Sequence, residues 1–145
     1  MTQVQGVTIT CPDGWLDKSM LVLSAAKPGP SGVSPNFVVT HEPMPDDLRF
    51  AAEDALNAFV ERQIEQMRTT LPGPVSIARR QAADASGLPE LRVDWTADRI
   101  PLTQWIGYNQ TDDGTVTIAT GTAGKADFSA VEPVFHAMLR SFRIA

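Results

Sequence analysis

Between Gly14 and Leu23 the chain reads Gly-Trp-Leu-Asp-Lys-Ser-Met-Leu-Val-Leu, a turn that feeds a run apolar at every one of its last four positions. Side chains of a strand alternate sides, so Met20 and Val22 point one way while Leu21 and Leu23 point the other. Both faces of such a strand need cover. A domain of this size can pack its own helices on one face, and the second then calls for another sheet, a partner subunit or a ligand. The competing reading is a strand buried wholly inside its own fold.

The rest of the chain alternates strand and helix patterns. Val4 to Cys11 places Val7, Ile9 and Cys11 on one face and Thr8 and Thr10 on the other, a half-buried strand that Pro12-Asp13-Gly14 turns. The apolar strand runs from Ser19 to Ser24, Lys27 to Gly32 is a Pro- and Gly-rich loop, and Asn36 to His41 resumes as a third strand, which together suggest an antiparallel meander. One long helix is expected from Asp47 to Leu71, with Leu56, Phe59, Val60, Gln63, Ile64 and Met67 in its stripe and Glu53, Glu61, Glu65 and Arg68 outside it. Leu71-Pro72-Gly73-Pro74 ends it. Four further strands follow, over 75–82, 90–97, 100–110 and 115–122, the first two joined by the turn Asp84-Ala85-Ser86-Gly87 and the last two by Thr111-Asp112-Asp113-Gly114. Asp127 or Ser129 can cap the last helix, Ser129 to Glu132 has capping-box spacing, and Val131, Val134, Phe135, Met138, Leu139 and Phe142 form its stripe. The order predicts an α+β fold, an antiparallel sheet of about seven strands with helices packed on one face.

Length and charge narrow the function. A chain of 145 residues fits a single domain that buries a core without disulfide staples. A net charge of -5 with scattered basic residues argues against nucleic acid and anionic membrane surfaces as partners. The single cysteine, Cys11, fits a reducing compartment and is expected as a small core residue on its strand face. No secretory pattern opens the chain, no run is long enough to insert in a membrane, and the expected location is the cytoplasm.

Candidate chemistry is sparse. His41 and His136 lack sequence neighbours typical of a metal site or a catalytic triad, and Asp112-Asp113-Gly114 lacks the further acids of a calcium loop. Gly121 to Lys125 departs from the spacing of a phosphate loop. No cofactor, no metal and no enzymatic activity are expected. A small-molecule cleft around Trp95, Trp105 and Tyr108 is a third possibility, against the default that such aromatics form core. What remains is binding: Met20 and Val22 as an apolar strip, with Gln63 and Gln104 as amides where apolar or charged residues are the default and where burial demands partners.

Gly14-Trp15-Leu16-Asp17-Lys18-Ser19-Met20-Leu21-Val22, Phe59 with Gln63 four residues on, Leu71-Pro72-Gly73, Gln104 in a strand, Pro133-Val134-Phe135 and Ser141-Phe142 together resemble the Eag chaperones of bacterial type VI secretion, over nearly the whole of residues 1–145. The W-x-D-x-S segment also resembles DcrB-like and PsbP-like relatives of the same fold. The resemblance implies a single Eag chaperone-like domain with a PsbP-like fold that acts as a cytoplasmic homodimer whose two sheets form a cradle. Its implied partner is the hydrophobic N-terminal transmembrane segment of a secreted effector of the PAAR or Rhs type, held until the effector is loaded on the VgrG spike. Carried over by position, the client-binding residues are Met20 and Val22 for apolar contact and Gln63 and Gln104 for polar contact, with methionine and valine standing where isoleucines are common. The alternative is a DcrB- or PsbP-like interaction module that docks a folded partner.

Overall fold

The computed structural model describes residues 2–4, 7–51, 54–82, 87–111 and 114–141. Of the expected features, Glu53, Asp84 to Ser86, Asp112, Asp113 and Phe142 lie outside the described residues. The elements are β1 (Thr2–Val4), β2 (Val7–Ile9), β3 (Leu21–Ser24), β4 (Asn36–Pro43), α1 (Asp46–Ala51), α2 (Ala55–Thr70), β5 (Ser76–Gln81), β6 (Pro89–Ala97), β7 (Ile100–Gln110), β8 (Thr115–Gly124) and α3 (Phe128–Ser141). Six strands form one antiparallel sheet in the order β3-β4-β8-β7-β6-β5, so the α+β class and the antiparallel sheet stand.

Three local expectations change. The strand read over Val4 to Cys11 is a separate hairpin in which β1 pairs with β2, Val4 opposite Val7, because a short alternating run reads the same as one strand or as two. Cys11 therefore lies beyond β2, half-buried, with its thiol 3.6 Å from the Trp15 carbonyl instead of in a core strand. The single helix expected from Asp47 divides into α1 and α2. Asp54 is the cause: its carboxylate accepts from the Asn57 backbone N–H at 3.3 Å and caps α2. The expected stop holds, with Leu71 as C-cap donating to the Met67 carbonyl and Gly73 at positive φ.

The helices, expected together on one face, divide between the two. Residues directly opposite in adjacent antiparallel strands share a face. Leu91, Val93, Ile106, Tyr108, Val116 and Ile118 pack with Phe59, Val60 and Ile64 of α2. Phe37, Val39, Trp105, Ala119 and Ala123, at the alternate positions, pack with Phe128 and Phe135 of α3. The central strands are apolar on both faces, so each face needs a helix. Trp105 thus sits on the opposite face from Tyr108 and Trp95, and the aromatic cleft considered from the sequence does not form.

Adjacent arginines of β5 serve the two layers. Arg79 reaches Glu61 and Asn57 on α2, while Arg80 reaches Glu132 on α3 at 2.5 Å. Glu132 thereby leaves the capping-box role and also lies 3.2 Å from His136 Nε2. At the start of α3, the Asp127 carboxylate is taken by Ser31, whose hydroxyl donates at 2.6 Å and whose N–H donates at 3.2 Å, which latches the loop before β4 onto the helix.

Phe135 fills the space above Gly121, where a Cβ would lie 2.5 Å from the ring. Gly121→Val should therefore cost about 1–3 kcal/mol of unfolding free energy by denaturant titration, the usual scale of overpacking; an unchanged midpoint would mean that α3 does not press on the sheet there. Burial alone would raise the Glu132 carboxyl, but hydrogen bonds from Arg80 and His136 outweigh it and hold the group below its ordinary value. A depressed carboxylate contributes stability above its ordinary titration range and loses it as pH falls through that range. Wild type should lose more stability than Glu132→Gln on acidification below about 4.5, and equal slopes would contradict the pairing.

Candidate functional site

The apolar run that opens the argument is the outermost strand of the sheet. Leu21 to Ser24 pair with β4 on one side alone, Val22 opposite Val38. Met20, just ahead of β3, is 54 % exposed and Val22 55 %, with Leu21 and Leu23 nearly as open. Burial of this strand inside the lone chain is thereby excluded. Asp17 shapes its approach, accepting from the Ser19 N–H at 2.9 Å.

Register extends the strip across the sheet. Val22 faces Val38, Val38 faces Thr120, and Thr120 faces Ile106, which lies under α2. The neighbouring row runs Ser24, Asn36, Thr122, Gln104 and Val93. The α2-bearing face is therefore covered over β6 and β7 and open toward β3 and β4, where Val38, Thr120 and Thr122 are only half-buried. These three residues escaped the sequence reading. Thr120 and Thr122 gave a signal, since they continue the face of Val116 and Ile118 in polar residues, but that change alone does not say where the covering helix ends.

The two amides differ. Gln104 lies on β7 on this same face, and it is satisfied within the sheet: its Oε1 accepts from Trp95 Nε1 at 3.0 Å and its Nε2 donates to Thr122 Oγ1 at 3.1 Å. Gln63 lies on α2, half-buried, and donates to Gln66 Oε1 at 3.3 Å. The sheet thus places Val22 and Gln104 on one face and hangs Gln63 from the helix covering that face. The amides can turn toward a guest only by exchanging these internal bonds.

The fold also assembles a constellation that sequence distance hides. Ser19 Oγ lies 3.4 Å and Asp17 Oδ1 3.7 Å from Nε2 of His41. A serine-histidine-aspartate relay uses the two ring nitrogens for the two partners, whereas here both address one. The cluster pins the segment before β3 to β4. Among the described residues no group of three His, Cys, Asp or Glu side chains could hold a metal ion, and no helix is long and apolar enough to cross a membrane.

Removing the Gln104 amide leaves the Trp95 indole N–H and the Thr122 hydroxyl without their partner. Gln104→Ala should cost about 1–2 kcal/mol in urea unfolding, and a loss near zero would mean that the amide is idle in the free protein.

No curated protein matches the chain. The fold is shared with a Pseudomonas aeruginosa protein, PA94, whose crystal structure is described as that of a protein of unknown function and putative regulator. The two superpose with a TM-score of 0.76 at 21 % identity over 99 % of this chain and 95 % of the other. The sequence profile of the DcrB family matches residues 7–141, nearly the whole of the sheet and its helices, and the chain belongs to the DcrB family.

Proposed function

We propose that this protein is a cytoplasmic chaperone and adaptor of type VI secretion, of the Eag kind, which shields the apolar N-terminal segments of an effector before it is loaded on the VgrG spike. The observation that carries the reading is the half-open α2-bearing face, edged by an apolar strand at Met20 and Val22. A helix leaving water for such a strip recovers about 25 cal/mol per Å² of apolar area, so several hundred Å² hold it against aggregation. Thr120 beside the strip offers a hydrogen bond to polar groups among small guest residues, as helices do for one another in a bilayer, and Gln104 and Thr122 add theirs by exchanging their internal bond.

A homodimer would join two such sheets into a cradle, with a guest helix lying across them. The second reading, a module that docks a folded partner, is favoured by the exposed Trp15 and Leu16, which precede the β3 strip in the chain.

Co-expression with the apolar N-terminal segment of a PAAR or Rhs effector should keep that segment in the soluble fraction. Met20→Asp with Val22→Asp should abolish this while circular dichroism and gel filtration stay unchanged, because both side chains are more than half exposed. Retention of the segment by the double variant would refute the groove. Recovery of a folded partner alone, lost on Trp15→Ser with Leu16→Ser, would establish the second reading instead.

A further inference from the structure

β3 leaves open more than the side chains of one face. The Ala25 N–H donates to the Pro35 carbonyl at 2.8 Å, in the same register that sets Leu23 opposite Phe37 and Leu21 opposite Val39. Hydrogen-bonded pairs alternate along an antiparallel ladder, so Leu21 and Leu23 turn their backbone groups to β4 while Val22 and Ser24 turn theirs outward. No strand among the described residues meets them there, because β3 ends the sheet. Leu21 and Leu23, whose side chains lie on the α3 side, are 43 % and 45 % exposed. A helix seated on the α2-bearing strip covers neither these leucines nor the outward amides.

Edge strands are ordinarily kept from pairing by charge or proline. The β5 edge follows that rule with Arg79 and Arg80. Ser19 to Ala26 contains neither a charged residue nor a proline, and Lys18 and Lys27 flank it, both exposed. An apolar edge between two cations fits an extended chain that is apolar in its middle and acidic at its ends. A second copy of β3 would bring the same positive flanks together instead.

We infer that β3 takes up an extended peptide segment as an added strand, with alternating apolar residues between acidic ends, bonded through the Val22 and Ser24 backbone. This stands apart from the chaperone reading, which uses the side chains of one face and leaves those amides unbonded. Hydrogen exchange of the ¹⁵N-labelled protein with the end-capped peptide Glu-Val-Thr-Val-Thr-Val-Glu tests it. Without peptide the Val22 and Ser24 amides should exchange at nearly the unprotected rate, and about 1 mM peptide should slow both at least about threefold. A peptide with lysine in place of both glutamates should bind at least about threefold more weakly, the scale of exposed ion pairs, and Lys18→Glu with Lys27→Glu should reverse that order. Ser24→Pro removes an outward N–H and no ladder bond to β4, so it should weaken binding about tenfold while circular dichroism stays unchanged. Exchange unslowed at both amides, equal binding of the two peptides, or protection that grows with protein concentration in the absence of peptide, the mark of a second copy on the edge, would each overturn the inference.

Discussion

Width decides what this fold leaves open. Six strands about 4.8 Å apart place the two edge strands roughly 24 Å from each other, whereas one helix with its side chains is about 10–12 Å across. A single helix therefore covers two or three strands. α2 settles over Leu91, Val93, Ile106 and Tyr108, the apolar centre of its face, and the β3–β4 side goes without cover. On most sheets an uncovered edge would be polar. Here it is Met20-Leu21-Val22-Leu23, so a cost in exposed apolar area is built into the free chain.

The same constraint explains the two-sided construction. β7 and β8 carry large apolar groups on one face and Trp105, Ala119 and Ala123 on the other, so α2 and α3 sandwich the centre of the sheet. Arg79 and Arg80, adjacent on β5, hold one helix each, and Ser31 holds the N-terminus of α3 through Asp127. The frame is thus tied at the β5 edge and at the start of α3. The opposite edge carries the open strip, away from the helices that hold the core.

Much of this was legible in the sequence. The strands from β3 onward, the helix stop at Leu71 and the stripe of α2 follow from periodicity and from Pro and Gly, which act locally. The divided helix was not, because a mid-pattern Asp54 reads as an outward residue until its carboxylate turns back to Asn57. The two-faced packing was not either, since period-two alternation says that sides differ but not which helix takes which side. At the site, the apolar run marked Met20 and Val22 as needing cover but not whether their own chain supplies it, and their alignment with Val38 and Thr120 depended on β4 pairing with β8, a contact between distant segments. The bonds of Gln104 to Trp95 and Thr122 are cross-strand and equally invisible to local pattern. Likewise His41 finds Ser19 and Asp17 only through the β3–β4 pairing.

The central claim is that the unoccupied half of the α2-bearing face seats an apolar guest helix. Photo-crosslinking from a benzoylphenylalanine placed in turn at positions 38, 120 and 134, with an apolar effector segment co-expressed, reads it directly. Crosslinks to the segment from 38 and 120, and none from 134 on the outside of α3, are the predicted result. Crosslinks from 134 alone, or from no position while the segment stays soluble and bound, would contradict it.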